Sequence, residues 1–470
     1  MTFLATLPPA LVAGAVMALG AALVLLFAGP LSSRVTLTTA IGTVAALGAV
    51  LAVLALSPEF PVSVVALCTL AALTLLLVPW LDLQDEKHAV ECTALILLGT
   101  CGAVALATAT DMLQAVVGLE TLALSSVVLV ALGRGTRALE ASFKYLVLGA
   151  VSASGLLYGV GLVYLGTGSF AFPTAAQIGA NPLVLAGVVL VGLGIAFELA
   201  IVPFHWGALD AYTAADPALA GFVMVASKLA AAFALGTLVS QAGLPVAQVL
   251  VWIGVATIVW GTLGALVQRG LRRLLAYSAV THAGFIALAV GSGAAGPATA
   301  AFYAVVYGAM AMLAFAAIAG RPRPLLAGDG VDADMPTAEP RDIEIASLRT
   351  GWLGPLRTGA LAFALLCLSG IPPTPGFWAK LSVLMAAWEG AGLFATLVAV
   401  AGGVFSVLYY LRPVPDLFAA LRTAAPVRGP AGAPAVPAIF VATALVVVFG
   451  VFPGLVWWVV APIGARLLGS

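Results

Sequence analysis

The sequence predicts an all-α polytopic membrane protein, and its composition is the first observation that points to this fold class. Of the 470 residues, 63% are hydrophobic and 8% are charged, whereas soluble domains are about 45–50% apolar and about 25% charged. The mean hydropathy is +1.17. This composition excludes a soluble globule and also a disordered chain, which requires low hydrophobicity. A net charge of zero offers no basic surface for nucleic acid.

The second observation is a series of apolar stretches along the whole chain. A spanning helix needs about 20 residues, and charges, Pro/Gly clusters and polar turns divide the sequence into about fourteen such segments. The predicted segments are 8–29, 35–57, 61–81, 91–110, 111–132, 141–166, 182–204, 218–240, 246–268, 272–292, 298–320, 358–383, 390–412 and 436–460.

The third observation is the distribution of basic residues, which predicts the orientation of the segments. When the loops are numbered alternately, one set holds Lys87 and every arginine except Arg466. Basic residues concentrate in cytoplasmic loops, so both termini are predicted to be non-cytoplasmic. The first segment precedes the first charge, Arg34, and is long enough to span. It is therefore predicted to be a retained helix rather than a cleaved signal peptide.

Two of the predicted segments contain helix breakers. The seventh carries Pro203 within 201–207, and the twelfth carries three prolines within 372–375. Proline removes an amide donor and clashes with the preceding turn, so each site is either an ordinary kink or an interruption. Interrupted helices at corresponding positions of two halves indicate an ion pathway built on inverted repeats. The fourth to eighth and the ninth to thirteenth segments are therefore predicted to form two inverted five-helix repeats with discontinuous helices 7 and 12.

These repeats suggest a division of the chain into regions. The predicted regions are an N-terminal three-helix segment at 1–90, a first repeat at 91–240, a second repeat at 246–412 with a polar cytoplasmic loop at 321–357, and a C-terminal helix at 413–470.

Five ionisable residues lie well inside the predicted segments: Glu120, Lys144, Glu198, Lys228 and Lys380. Each costs about 2.5–3.5 kcal/mol at the centre of a spanning helix, so such residues persist when they are paired, hydrated or functional. Burial brings the proton equilibria of carboxylates and lysines closer to neutral pH, which suits proton transfer. The structural alternatives are a hydrogen-bonded neutral glutamate, lysines that extend to the membrane surface and a static Glu198–Lys228 ion pair.

Histidine and cysteine complete the candidate chemistry. His205 follows the break in the seventh segment and His282 lies within the tenth; each is a candidate proton relay or a helix-packing residue. The four cysteines, Cys68, Cys92, Cys101 and Cys367, form no CxxC pair and are predicted to be small buried hydrophobes. No metal-ligand spacing, phosphate-binding loop or catalytic nucleophile motif is present in the sequence, so neither a metal nor a cofactor site is predicted.

Several separate motifs, in this order, resemble the antiporter-like membrane subunits of respiratory complex I, a family shared with Mrp antiporters. The resemblance covers about residues 110–412. The matching stretches are Asp-Met-Leu at 111–113, Gly-Leu-Glu at 118–120, Phe-Lys-Tyr-Leu-Val-Leu-Gly at 143–149, Val-Pro-Phe-His-Trp at 202–206 with Asp-Ala-Tyr at 210–212, Ala-Ser-Lys at 226–228, Leu-Arg-Arg-Leu-Leu-Ala-Tyr-Ser at 271–278 with His-Ala-Gly at 282–284, and Ser-Gly-Ile-Pro-Pro-Thr-Pro-Gly-Phe at 369–377 with Lys380.

The resemblance implies a fold, an activity and a set of site residues. It implies fourteen helices with two inverted five-helix repeats, and proton translocation coupled to quinone reduction in neighbouring subunits. NADH, FMN, iron–sulfur clusters and quinone are expected in those partner subunits, and the other membrane subunits and the bilayer are the expected partners. The family motifs place a proton pathway on Glu120, Lys144, Glu198, Lys228, His205, His282 and Lys380.

One residue departs from the family pattern. The family usually carries a lysine where this chain has Glu198, and that lysine pairs with the glutamate that matches Glu120. Here two carboxylates replace the ion pair, and like charges in a low-dielectric site favour the sharing of a proton. Either the relay uses Glu198 and Lys228 as its switch, or the subunit pumps poorly.

Other functions share parts of this pattern. An Mrp-type cation/proton antiporter subunit would use the same fold without quinone chemistry, and an antiporter-like subunit of a membrane-bound hydrogenase would also fit. A structural scaffold whose pump has decayed is the third alternative, and Glu198 is the residue that suggests it.

Overall fold

The computed structural model describes residues 8–26, 35–56, 62–80, 88–133, 135–319, 354–423 and 436–458. Helices dominate this part of the chain, and its only β-type pairing is an isolated antiparallel bridge between Asp111 and Ala171. The α-helices in chain order are α1 Pro9–Leu26, α2 Val35–Leu56, α3 Val62–Leu75, α4 His88–Ala107, α5 Met112–Ala131, α6 Thr136–Thr167, α7 Ala175–Ala180, α8 Pro182–Glu198, α9 His205–Ala214, α10 Pro217–Ala242, α11 Leu244–Leu266, α12 Leu271–Val290, α13 Gly296–Ile318, α14 Pro355–Ser369, α15 Pro375–Gly390, α16 Leu393–Leu411, α17 Val414–Thr423 and α18 Val436–Val451.

These helices confirm the predicted membrane segments. Within the described ranges, nine helices are long and apolar enough to cross a membrane, and five shorter apolar helices accompany them. Each predicted segment coincides with one of these helices. The chain is therefore a multi-pass helical membrane protein, as the composition indicated.

The division between α4 and α5 depends on local capping. Asp111 is the N-cap of α5 and accepts a hydrogen bond from the Gln114 amide at 2.9 Å. The Gln114 side chain donates to the carbonyls of Ala105 and Thr108 at the end of α4. Because these side chains satisfy backbone groups that the helix ends leave open, the chain turns within a few residues.

Glycine contacts bring the first two helices of each repeat together. A Cβ at Gly102 of α4 would lie 2.5 Å from the Leu122 nitrogen of α5, and a Cβ at Gly254 of α11 would lie 2.7 Å from the Leu288 nitrogen of α12. Small residues let membrane helices approach this closely. The same packing solution therefore occurs at corresponding positions of the two repeats.

The two repeats also share their helix neighbours. In the first, α4 packs on α5 and α10, α5 on α6, and α6 on α8 and α9; in the second, α11 packs on α12 and α16, α12 on α13, and α13 on α14 and α15. Since each set crosses the membrane an odd number of times, the second runs in the opposite direction. The sets meet where α10 packs against α13 and where α9 packs against α12.

Both predicted breaks are interruptions of the helix rather than kinks. The first lies between α8 and α9, where Ala200 has a φ of 61°. The second lies between α14 and α15, where Gly370 caps α14 with a φ of 82°. The backbone amide of Val202 in the first break donates to the Thr257 hydroxyl of α11 at 3.1 Å, so a neighbouring helix satisfies a donor that the break frees.

Burial separates an interior from a lipid-facing exterior. Every residue in the apolar part of α10 is buried, whereas most residues of α6 and α2 are exposed or only partly buried. The exposed surface carries large apolar side chains such as Leu51, Phe143 and Leu165, which suits contact with lipid or with other membrane subunits. Of the predicted site residues, Lys228, His282, Glu198 and Lys380 are buried, whereas Glu120 and Lys144 lie on the less enclosed helices α5 and α6.

Two features lie outside the predicted pattern. The short helix α17 follows α16 and was not predicted from the sequence; its first turn carries Asp416 and its last turn Arg422. Most of the predicted polar loop at 321–357 falls within residues 320–353, which lie outside the described residues.

Candidate proton pathway

Glu198 is the last residue of α8 and its side chain is 1% exposed. Among the described residues, neither of its carboxylate oxygens has a hydrogen-bond partner of acceptable geometry. The hydroxyl of Ser227 on α10 lies beside the carboxyl group, and Tyr145 on α6 interacts electrostatically with Glu198. The break after α8 therefore places a carboxylic acid in a buried polar environment formed by three helices.

Lys228 is fully buried in the middle of α10. Its ammonium nitrogen lies 5.1 Å from the centroid of the Tyr212 ring, which stabilises a cation through the ring quadrupole. The nitrogen has no hydrogen-bond partner in the described part of the chain, and it interacts electrostatically with Glu198. The two candidates for the switch thus lie in one cluster.

Glu120 on α5 is only partly buried, and it interacts electrostatically with Glu198. The outer face of α5 near it carries exposed Val117 and Leu124. This carboxylate therefore lies between the protein surface and the buried cluster around Glu198.

His282 on α12 is the centre of a tyrosine cluster. Its Nδ1 lies 2.8 Å from the Tyr303 hydroxyl and its Nε2 lies 3.1 Å from the Tyr410 hydroxyl. The Tyr307 ring stacks on the imidazole with centroids 4.4 Å apart. His282 interacts electrostatically with both Lys228 and Lys380.

Lys380 on α15 is held at the second break. Its ammonium group donates to the carbonyls of Leu368 and Ser369 at 3.1 and 2.7 Å, and to the Ser406 hydroxyl at 2.6 Å. The carbonyls belong to the last turn of α14, which the break leaves without helical partners. The ammonium group of Lys380 therefore has three acceptors for its three donors.

Two of the predicted pathway residues, Lys144 and His205, lie apart from the buried residues described above. The Lys144 side chain is 47% exposed and forms ion pairs with Glu140 at 2.6 Å and Asp210 at 3.1 Å. His205 is buried, and its ring lies against Trp206 at 4.7 Å and Trp260 at 5.7 Å. Lys144 therefore lies at the protein surface in ion pairs, and His205 lies among aromatic side chains.

The hydroxyl groups of the site were not predicted from the sequence. Tyrosines and serines are ordinary residues in a membrane helix, and no spacing marks them as partners of a distant histidine or lysine. Helical spacing was the available signal, because Tyr303 and Tyr307 lie one turn apart, as do Ser406 and Tyr410. The hydroxyl residues that the structure adds are Tyr145, Tyr212, Ser227, Tyr303, Tyr307, Ser406 and Tyr410.

The cysteines fit the predicted apolar role. Cys68, Cys92 and Cys367 are buried, Cys101 is partly buried, and all four are free thiols. Within the described residues, no group of three or more His, Cys, Asp or Glu side chains is arranged to hold a metal ion.

Residues 109–406 match the family of membrane subunits described as NADH:quinone oxidoreductase/Mrp antiporter. The chain belongs to this family. Its relatives include NADH-quinone oxidoreductase subunit N of Cereibacter sphaeroides, which is 37% identical over 79% of each chain. Subunit N of Geotalea uraniireducens is 33% identical over 82% of this chain and 81% of the relative.

Three solved structures share the fold over nearly the whole chain. A chain of respiratory complex I from Thermus thermophilus aligns with a TM-score of 0.77 and 27% identity, over 95% of this chain and 98% of that one. A chain of an archaeal membrane-bound sulfane sulfur reductase aligns with a TM-score of 0.81 and 23% identity, over 98% of this chain and 97% of that one. A chain of the Mrp complex from a Dietzia species aligns with a TM-score of 0.75 and 22% identity, over 97% of each chain. The latter two likenesses show the fold alone.

Proposed function

We propose that this chain is a proton-translocating membrane subunit of NADH:quinone oxidoreductase, of the subunit N type. The observation that carries the proposal is the identity of 37% with a subunit N over 79% of both chains. Buried ionisable residues at both helix breaks and on the helices between them support a transport role. Such residues are costly in a membrane and mark ion pathways.

The subunit acts within an enzyme and has no redox centre of its own. NADH, FMN, iron–sulfur clusters and quinone belong to neighbouring subunits in this proposal, and the antiporter-like and small membrane subunits are its direct partners. Quinone reduction in the neighbouring subunits drives proton movement through this subunit by displacement of charge.

The pathway follows the buried polar side chains. Protons enter near Glu120 and Glu198, pass to Lys228, cross the centre at His282 and leave near Lys380. The two lysines differ in their surroundings, because Lys380 has three hydrogen-bond acceptors and Lys228 has an aromatic face. Moving one charge against 100 mV costs about 2.3 kcal/mol, which is comparable to the hydrogen bonds that a lysine exchanges when it loses its proton.

Lys144 and His205 have separate roles in this proposal. Lys144 forms ion pairs with Glu140 and Asp210 at the protein surface, and this charged group is proposed to contact a neighbouring subunit. His205 stands at the edge of the first break, where α9 begins.

The Mrp-type antiporter subunit is the alternative that the fold also supports, because its TM-score of 0.75 is close to the 0.77 of the complex I chain. Co-purification separates the two. Iron–sulfur and NADH-binding partners are expected with this chain, whereas recovery of small membrane partners alone would support the antiporter.

Replacement of either buried lysine tests the pathway. Lys228→Ala and Lys380→Ala in the assembled complex are each expected to lower proton pumping into membrane vesicles at least about ten-fold, since each removes a proton carrier. Pumping is measured with a pH-sensitive dye and divided by the NADH oxidation rate. Normal pumping in both variants would overturn the assigned pathway.

A further inference from the structure

The imidazole of His282 is the only described side chain with a hydroxyl group at hydrogen-bond distance from each of its two ring nitrogens. The ring is 2% exposed, Tyr303 is 1% exposed and Tyr410 is fully buried. The three residues come from three different helices, α12, α13 and α16. This arrangement is specific to the packed structure and is unlike a histidine held by a single backbone partner.

A neutral imidazole has one nitrogen that donates a hydrogen bond and one that accepts. A hydroxyl group can do either. The Tyr303–His282–Tyr410 chain therefore always has a direction, with one hydroxyl donating to the ring and the other accepting from it. Such a chain can carry a proton from one hydroxyl to the other.

Each end of this chain lies on a helix that also contacts the surroundings of one buried lysine. Tyr410 lies one helical turn after Ser406, whose hydroxyl accepts a hydrogen bond from Lys380. Tyr303 lies one turn before Tyr307, whose hydroxyl lies 3.5 Å from the Met224 sulfur. Met224 is itself one turn before Lys228 on α10. Tyr410 thus shares a helix with the serine that binds Lys380, and Tyr303 shares a helix with the tyrosine that contacts the helix of Lys228.

We infer that Tyr303 and Tyr410 are catalytic residues that, with His282, pass protons between the two repeats by exchange of the imidazole tautomer. This inference rests on the proposed function and specifies its central step. A proton from the Tyr303 hydroxyl forms the Nδ1–H bond, and the Nε2–H bond breaks as its proton goes to the Tyr410 oxygen. The transfer starts with Lys228 as an ammonium ion and Lys380 as a neutral amine. Lys228 is the source of the proton that Tyr303 regains, and Lys380 is the final acceptor of the proton that Tyr410 releases, so the number of protons is conserved.

The charges around the ring favour a concerted transfer. Lys228 and Lys380 both interact electrostatically with His282, and positive charges oppose the formation of an imidazolium ion between them. If the ring gains a proton on one nitrogen while it loses the proton on the other, it never carries the full positive charge of an imidazolium ion. The Tyr307 stack and the two hydrogen bonds hold the ring between transfers. Rotation of the hydroxyl groups alone does not return the ring proton from Nδ1 to Nε2, so each further proton in the same direction requires the imidazole to turn or to regain its first tautomer.

Removal of one hydroxyl at a time tests the relay. Tyr303→Phe and Tyr410→Phe keep the aromatic ring and remove only the proton carrier. Each is expected to lower proton pumping per assembled complex at least about ten-fold in vesicles, since the loss of a positioned acid–base group costs about 10²–10⁴. Tyr164→Phe on α6 is the matched control, because that tyrosine is exposed and stacks on Phe170; it is expected to pump normally.

Pumping is expressed per assembled complex, measured as NADH oxidation with an artificial electron acceptor, so a lower yield does not imitate a blocked relay. Either phenylalanine variant is sufficient, which keeps the test decisive if the other fails to assemble. Normal pumping in the phenylalanine variants together with loss in Lys228→Ala and Lys380→Ala would overturn the relay and leave the proposed function intact. Normal pumping in the lysine variants would instead overturn the pathway itself.

Discussion

Glu198 has a buried environment that favours a group able to change its protonation state. Both of its carboxylate oxygens lack a hydrogen-bond partner among the described residues, and it interacts electrostatically with Glu120 and Lys228. A static structural glutamate would be expected to have its oxygens hydrogen-bonded. We propose that the carboxyl group of Glu198 carries a mobile proton in this environment.

Glu198→Gln is expected to lower proton pumping about ten-fold or more, because the amide keeps the shape of the side chain but carries no transferable proton. The measurement is dye-based pumping in vesicles, divided by NADH oxidation. Glu389→Gln on the exposed end of α15 is the control and should pump normally. If Glu198→Lys and Glu198→Gln both pump like the unmodified chain, Glu198 lies outside the pathway and the scaffold alternative gains support.

At the scale of the helix, each interruption is stabilised by a side chain from elsewhere. Thr257 accepts from the Val202 amide at the first break, and Lys380 donates to two carbonyls of α14 at the second. Unsatisfied backbone groups in a membrane cost several kcal/mol. The breaks therefore persist because polar groups of packed helices replace the missing helical bonds.

Thr257→Val is expected to destabilise the protein by about 1–3 kcal/mol, because it leaves the Val202 amide without its acceptor. Thr262→Val on the same helix is the control, since the Thr262 hydroxyl is buried without a partner among the described residues; its effect should be close to zero or stabilising. Thermal unfolding in detergent measures both. Equal melting temperatures for the two variants would show that Thr257 does not support the break.

Gly370→Ala is expected to destabilise the second break by about 1–2 kcal/mol, since the φ of 82° disfavours any residue with a Cβ. The added Cβ would also lie 2.9 Å from Cδ of Lys380, so pumping should fall with stability. Gly359→Ala in α14 has no neighbour within 4 Å and should be neutral or slightly stabilising. A Gly370→Ala protein with unchanged melting temperature and pumping would contradict this account of the break.

At the scale of the whole molecule, the orientation in the membrane stays a prediction. The same holds for the division into regions at 1–90, 91–240, 246–412 and 413–470. The distribution of arginines predicts that both termini are non-cytoplasmic, and Arg466 lies outside the described residues.

Reporter fusions test the orientation. Alkaline phosphatase fused after Ser470 or before Met1 is expected to be active, because that enzyme folds only outside the cytoplasm, and green fluorescent protein at the same sites is expected to be dark. A fusion after Arg269, in the loop between α11 and α12 that is predicted to be cytoplasmic, is the control with the opposite result. Fluorescence from a terminal fusion would show that one predicted span is missing or that the whole orientation is reversed.

Hydropathy, proline positions and intramembrane charges were sufficient to predict the spans, the two interruptions and the buried residues Glu198, Lys228, His282 and Lys380. These signals are local, because a membrane imposes its length and its energetic cost on each segment separately. The hydroxyl partners of His282 and Lys380 were decided only by the tertiary structure, as was the paired, exposed position of Lys144. Those contacts join residues that are far apart in the chain, and only the packing of the helices brings their side chains within hydrogen-bond distance.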